Sequence, residues 1–113
     1  MRLLLDTNII CDFLGVNKGF SEAAGKIIQL SIDNEAIELV SASAMTDIYH
    51  VLRRETKDVK KTVSQLQRLR SLIGILPVTE EDIDIALSRG WKDFEDAVQY
   101  TVAESNHIDY KSC

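Results

Sequence analysis

The chain opens on Leu3-Leu4-Leu5, an apolar run bounded by Arg2 and Asp6, which predicts a short strand over 2–6. Apolar positions then switch to three- and four-residue spacing. Ile9, Ile10, Phe13 and Leu14 predict a helix over 7–15 that Gly15 stops. Asn17-Lys18-Gly19 predicts a turn, and Ser21 a cap for a helix whose Ala23, Ala24, Ile27, Ile28 and Leu30 share one side. Ile37–Ala42 predicts a second strand, with Ile37, Leu39 and Val40 apolar. Ser43 is expected to cap a helix running through Ile48, Val51 and Leu52. Asp58 is expected to cap the next, with Val63, Leu66, Leu69 and Leu72 as its stripe and Gly74 as its end. Ile75-Leu76-Pro77-Val78 predicts a third strand, in which Pro77 removes one ladder donor. Thr79-Glu80-Glu81-Asp82 is a helix-start signature, followed by Ile83, Ile85, Ala86 and Leu87 and broken by Gly90. Asp93 opens a last helix with Ala97, Val98, Tyr100, Thr101 and Ala103 inward, ending near Asn106.

Strands thus alternate with single or paired helices, and no tight two-residue hairpin signal interrupts them. The strand segments are apolar runs, as expected of strands buried on both faces. The expected fold is a three-layer α/β/α domain around a small central parallel sheet. At 113 residues, with 45% apolar and 27% charged residues, the chain has the length and composition of one globular domain spanning 1–113. The leucine run is too short for a signal-peptide core or a membrane span. Two Cys make no disulfide framework, and no Cys/His spacing suits zinc. A cytoplasmic location without membrane association is the expectation.

The net charge of −5 argues against a general nucleic-acid-coating protein, but its distribution is uneven. Residues 1–50 carry a net −4 and residues 80–113 a net −6, whereas 51–79 carry +5 through Arg53, Arg54, Lys57, Lys60, Lys61, Arg68 and Arg70. A solvated helix surface accounts for such a run. So does a phosphate-steering rim beside an acidic pocket.

In an open parallel sheet, ligands bind beyond the carboxyl ends of the strands. Asp6 is predicted at one such end, and Asp47 five residues past another. Asp93 and Asp96 open the last helix three residues apart, on neighbouring positions of one face. If the sheet is parallel, all four converge on one edge. Carboxylates crowded there raise one another's pKa, and a divalent cation relieves that repulsion. Oxygen ligands without His or Cys select Mg²⁺ or Mn²⁺ over zinc. Such an ion polarises a phosphodiester and activates water. Each carboxylate also has an ordinary structural account. Asp6 and Asp93 can cap helices, Asp47 can complement a helix dipole, and Asp96 sits where a capping arrangement has its acid.

Leu3-Leu4-Leu5-Asp6-Thr7-Asn8-Ile9-Ile10 resembles the opening of PIN-domain nucleases, the family that includes VapC-type toxins of toxin–antitoxin pairs. Ser41–Asp47 resembles the second motif of that family, with Asp47 where the acid is commonly Glu. Asp93-Phe94-Glu95-Asp96-Ala97, followed by Ala103, resembles the third. The resemblance implies a Mg²⁺- or Mn²⁺-dependent endoribonuclease that hydrolyses RNA phosphodiester bonds, the toxin of a type II pair. It implies Asp6, Asp47 and Asp96 as catalytic metal ligands and Asp93 as a further ligand or supporting group. Thr7 or Asn8 would hold Asp6 or a metal-bound water. It also implies an antitoxin partner that reaches into the acidic groove with an Arg or Lys, and a possible homodimer. After Asn106-His107-Ile108-Asp109-Tyr110, family members continue into a further strand and a loop bearing another acid. Here the last strand is expected to be missing or incomplete, leaving an exposed sheet edge.

The alternative reading is a catalytically weak or inactive PIN-like domain that binds protein or RNA without cutting. A phosphoryl-accepting domain ranks last, because Asn8 stands where such motifs carry a second Asp. His50 is expected to be packed or on the surface, His107 to be a helix-end cation, Tyr49 and Tyr100 to be core or rim, Trp91 to be either a loop anchor, the favoured reading, or an exposed partner contact, and Cys11 to be buried and inert. Ile48, Val51 and Leu52 with the adjoining basic helices are the candidate dimer surface.

Overall fold

The three leucines at the start divide between two cores, because side chains alternate across a strand. Leu3 and Leu5 pack on one side with Ile10, Ile28, Val40, Ile48, Leu52, Leu66 and Leu69. Leu4 packs on the other with Leu39, Leu76, Ala86, Ala97, Val98 and Val102. That division makes the run a central strand. The computed structural model describes residues 1–15 and 22–111. Along the chain come β1 (Arg2–Leu4), α1 (Thr7–Phe13), α2 (Glu22–Ile32), β2 (Ile37–Ser41), α3 (Ala42–Thr56), α4 (Val59–Arg70), β3 (Gly74–Leu76), α5 (Glu80–Arg89), α6 (Phe94–Ser105) and β4 (Tyr110–Lys111). The predicted turn at Asn17-Lys18-Gly19, the Ser21 cap and the side chains of Ala23 and Ala24 lie outside the described residues.

The sheet has the order β3-β2-β1-β4, and every pairing is parallel. The cluster that includes Leu3 draws on α1, α2, α3 and α4, and the cluster around Leu4 on α5 and α6. This is the expected three-layer α/β/α architecture. A fourth strand, β4, is present. Leu3 pairs with Tyr110 and Leu4 with Lys111, so β4 covers the edge of β1 that was expected to be exposed. Asp109 anchors this arrangement, accepting a hydrogen bond from the Arg2 backbone N–H at 2.7 Å. Gly74 opposes Leu39 in the β2–β3 ladder, where a Cβ would lie 2.8 Å from Leu39 Cδ2. That close approach accounts for glycine beginning β3 instead of only ending α4.

Three helix starts follow the sequence. Asp58 accepts from Lys61 N at 3.2 Å, Asp93 from Asp96 N at 3.1 Å, and Thr79 and Asp82 form a reciprocal capping box. The start of α3 differs. Ser41, not Ser43, is its cap and accepts from Ala44 N at 3.1 Å, because the helix begins directly where β2 ends. On α4, Thr62 takes the buried place expected of Val63 and is held by Asp58 O and Thr56 Oγ1. On α6, Gln99 is buried, and Tyr100, placed inward by the helical spacing, is 43% exposed. Ile48 and Leu52 are 0% and 2% exposed within the chain's own core, so they cannot offer a dimer surface. Their burial contributes on the order of 1.5–3 kcal/mol each.

Glu38 is the exception among the core-facing residues. It pairs with Leu3 and so shares its face of the sheet. It is 1% exposed, and both carboxylate oxygens are buried with no hydrogen-bond partner among the described residues. Burial pushes its carboxyl up to about 7. Cys11 is free and buried; burial first, then the charges of Asp12 and Asp6, push its thiol up. Among the described residues, no helix is long and apolar enough to cross a membrane.

Candidate active site

A cleft of about 350 Å³ opens at the carboxyl ends of β1 and β2. Asp6, Thr7 and Asn8 enter it from the β1–α1 junction, Asp47 from α3, and Asp93, Glu95, Asp96 and Gln99 from the start of α6. A parallel sheet forces this convergence, since every strand delivers its following helix to the same edge. The four acids read from the sequence, Asp6, Asp47, Asp93 and Asp96, line this single cleft, together with Thr7 and Asn8.

Their local roles differ. Asp6 stands at the N-cap position of α1 in extended conformation, yet its carboxylate makes no capping hydrogen bond to the helix backbone. The capping account therefore does not explain Asp6. It does explain Asp93, whose carboxylate accepts the Asp96 N–H. Asp47 is the sixth residue of α3, past the first turn where a dipole interaction is strongest. Thr7 Oγ1 is buried without a hydrogen-bond partner among the described residues.

Glu95 is the acid that sequence reasoning left unassigned. Its carboxyl hydrogen-bonds to that of Asp47, and this bond, with burial and the charges of Asp47, Asp93 and Asp6, pushes it up to about 7. That contact favours the protonated form of Glu95. The signal available in sequence was three acids within four residues, 93 to 96. Gln99 was also missed. Its Nε2 donates to Ser41 Oγ at 2.7 Å, and Ser41 in turn caps α3. One buried strap thereby ties α6, carrying Glu95 and Asp96, to the helix carrying Asp47.

The cleft's donors are all oxygens, the set that suits a hard divalent cation. Among the described residues, no three acids are drawn close enough to hold a metal ion as they stand. Among the described residues, no basic residue lines the cleft. The predicted cationic rim lies elsewhere, on the second half of α3 and on α4. Arg54 is nearest in pattern, seven residues and two turns beyond Asp47 on the same helix side, about 10 Å along the axis.

A search of curated proteins returns no match. Among solved structures, Mycobacterium tuberculosis VapC20, described as a sarcin–ricin loop cleaving toxin, superposes with a TM-score of 0.71 at 15% identity, over 96% of this chain and 86% of that one. Rickettsia felis VapBC2, bound to a DNA fragment from its promoter, superposes with a TM-score of 0.70 at 15% identity, over 97% and 85%. At that identity the likeness establishes the fold. The profile of the PIN domain matches residues 2–110, nearly the whole sequence, and with the parallel sheet and the acid-lined cleft at its carboxyl edge this chain belongs to the PIN-domain family.

Proposed function

We propose that this chain is a metal-dependent endoribonuclease, the toxin of a toxin–antitoxin pair, that hydrolyses RNA phosphodiester bonds in the acidic cleft. The observation that supports it most is the gathering of Asp6, Asp47, Glu95 and Asp96 in one cleft. Two features of that cleft suit a cation. The contact of Asp47 with Glu95 favours the protonated form of Glu95, and the Thr7 hydroxyl is buried without a hydrogen-bond partner among the described residues. Mg²⁺ or Mn²⁺ matches an all-oxygen donor set. Asp6, Asp47 and Asp96 would hold it, with Asp93 fixing the start of α6 and Thr7 and Asn8 orienting Asp6. A divalent ion there supplies Lewis acidity toward the phosphodiester and lowers the pKa of water.

The chain's own part is positioning and proton transfer. The Gln99–Ser41 strap holds the two carboxylate-bearing helices in register. Glu95, in contact with Asp47 at the edge of that set, would give or take a proton during the reaction. The likeness to a toxin described as cleaving the sarcin–ricin loop supports RNA as the substrate class. An antitoxin partner would place a cationic side chain against the same carboxylates. The test is incubation of purified protein with structured and single-stranded RNA, with Mg²⁺, with Mn²⁺ and with chelator. Cleavage should require the metal and disappear in Asp6→Asn. Cleavage that persists in chelator or in that variant overturns the mechanism.

A further inference from the structure

Aromatic rings are commonly buried, or exposed with a purpose. Trp91 and Tyr100 are 45% and 43% exposed, yet both are held firmly. Their ring centroids lie 5.4 Å apart at a 57° tilt. The Arg89 guanidinium sits 4.7 Å from the Tyr100 ring and 5.6 Å from that of Trp91. Arg89 is fixed in turn: Nε donates to Thr101 Oγ1 at 3.0 Å and Nη2 to Glu104 at 3.2 Å. The group is a rigid shelf of two rings and a planar cation, half open to solvent.

Its position gives it a role. Tyr100 follows Asp96 by four residues, so the two stand on one side of α6, about 6 Å apart. Trp91 precedes Asp93 by two residues, with the exposed Lys92 between them. The shelf therefore stands beside the start of α6, whose Asp93 and Asp96 line the cleft, while its own side chains lie outside that lining. Resting on the nuclease reading of that cleft, we propose that Arg89, Trp91 and Tyr100 stack an unpaired base next to the scissile phosphate. Planar aromatic and guanidinium surfaces are what splayed bases stack on, and Lys92 adds a cation for the backbone. A protein partner is the less suitable occupant. The patch is small, aromatic and cationic instead of a broad aliphatic face, and Tyr100 shares α6 with the cleft's Asp96. A preorganised shelf costs little entropy on binding. It also selects single-stranded over duplex RNA, because paired bases have no free faces at a strand's side.

Trp91 is the chain's only tryptophan, so its fluorescence reports on the shelf alone. Wild-type protein in chelator, and Asp6→Asn in Mg²⁺, are titrated with a short single-stranded RNA and with an abasic oligomer of the same length. The RNA should quench Trp91, and the abasic oligomer should bind more weakly without quenching. Tyr100→Ala should weaken RNA binding about tenfold and Tyr100→Phe should restore it. RNA that leaves Trp91 fluorescence unchanged, or an abasic oligomer that binds equally well, overturns the shelf. Metal-dependent cleavage without quenching removes the shelf and leaves the nuclease standing. Quenching without cleavage under any metal does the opposite.

Discussion

Glu95 and Glu38 both hold their protons to about pH 7, for unrelated reasons. Glu95 stands in an open cleft, and its first cause is the hydrogen bond to Asp47. Glu38 stands in the sheet's interior, and its cause is burial alone. The first arrangement answers to anything that brings positive charge. The second answers only to solvent or to replacement by an apolar group. A raised carboxyl is thus no marker of a functional site until its cause is known. The two share one consequence. Both bind a proton more readily in the folded chain than in the unfolded one, where glutamate titrates near 4.3. Their stabilising contribution is complete below that value, falls as pH rises, and is lost above about 7.

Activity separates the two most sharply. Asp96→Asn, at the Glu95 end, should lower metal-dependent RNA cleavage by about a hundredfold, whereas Glu38→Leu should leave it within about twofold, read as initial rates on one RNA. Stability comes next. Glu38→Leu should gain roughly 2–3 kcal/mol at pH 8 in urea unfolding, since it removes a buried carboxylate with no partner. The decline in melting temperature between pH 5 and pH 8 should shrink with it; an unchanged slope would refute the burial account.

A smaller effect distinguishes the cleft. Mn²⁺ at ten times its dissociation constant should stabilise the fold by about 1.4 kcal/mol, equally in wild type and Glu38→Leu but not in an Asp6→Asn/Asp96→Asn double variant. A rise in melting temperature that survives the double variant would place the cation elsewhere. The smallest change in stability is expected for Glu95→Gln, under about 0.5 kcal/mol because the group is exposed and screened. Its signature is kinetic instead: the limb of the pH–rate profile that Glu95 sets should disappear.

The features legible in sequence were those that close within one turn. The caps Asp58, Thr79 and Asp93 bond the first turn of their own helices, so their spacing alone reveals them. The apolar run 3–5 identified a strand covered on both faces for the same local reason. Where two residues compete for one position, the sequence did not decide. Ser41 and Ser43 are both good caps, and only the length of β2 chooses. Thr62 and Val63, or Gln99 and Tyr100, are neighbours on a helix, and a small rotation against the sheet exchanges them. Ile48 and Leu52 look the same in sequence whether they face a second copy or the chain's own core.

Local chemistry settled which segments become strands and helices, and in parallel order this already sent the acids after β1, after β2 and at the start of α6 toward one edge. Tertiary packing alone decided that Glu95 meets Asp47, that Gln99 reaches Ser41 58 residues away, and that Glu38 lies buried beside Leu3. Those contacts join residues far apart in the chain. Their energies depend on burial and on which charges are neighbours, quantities that exist only once the layers have closed.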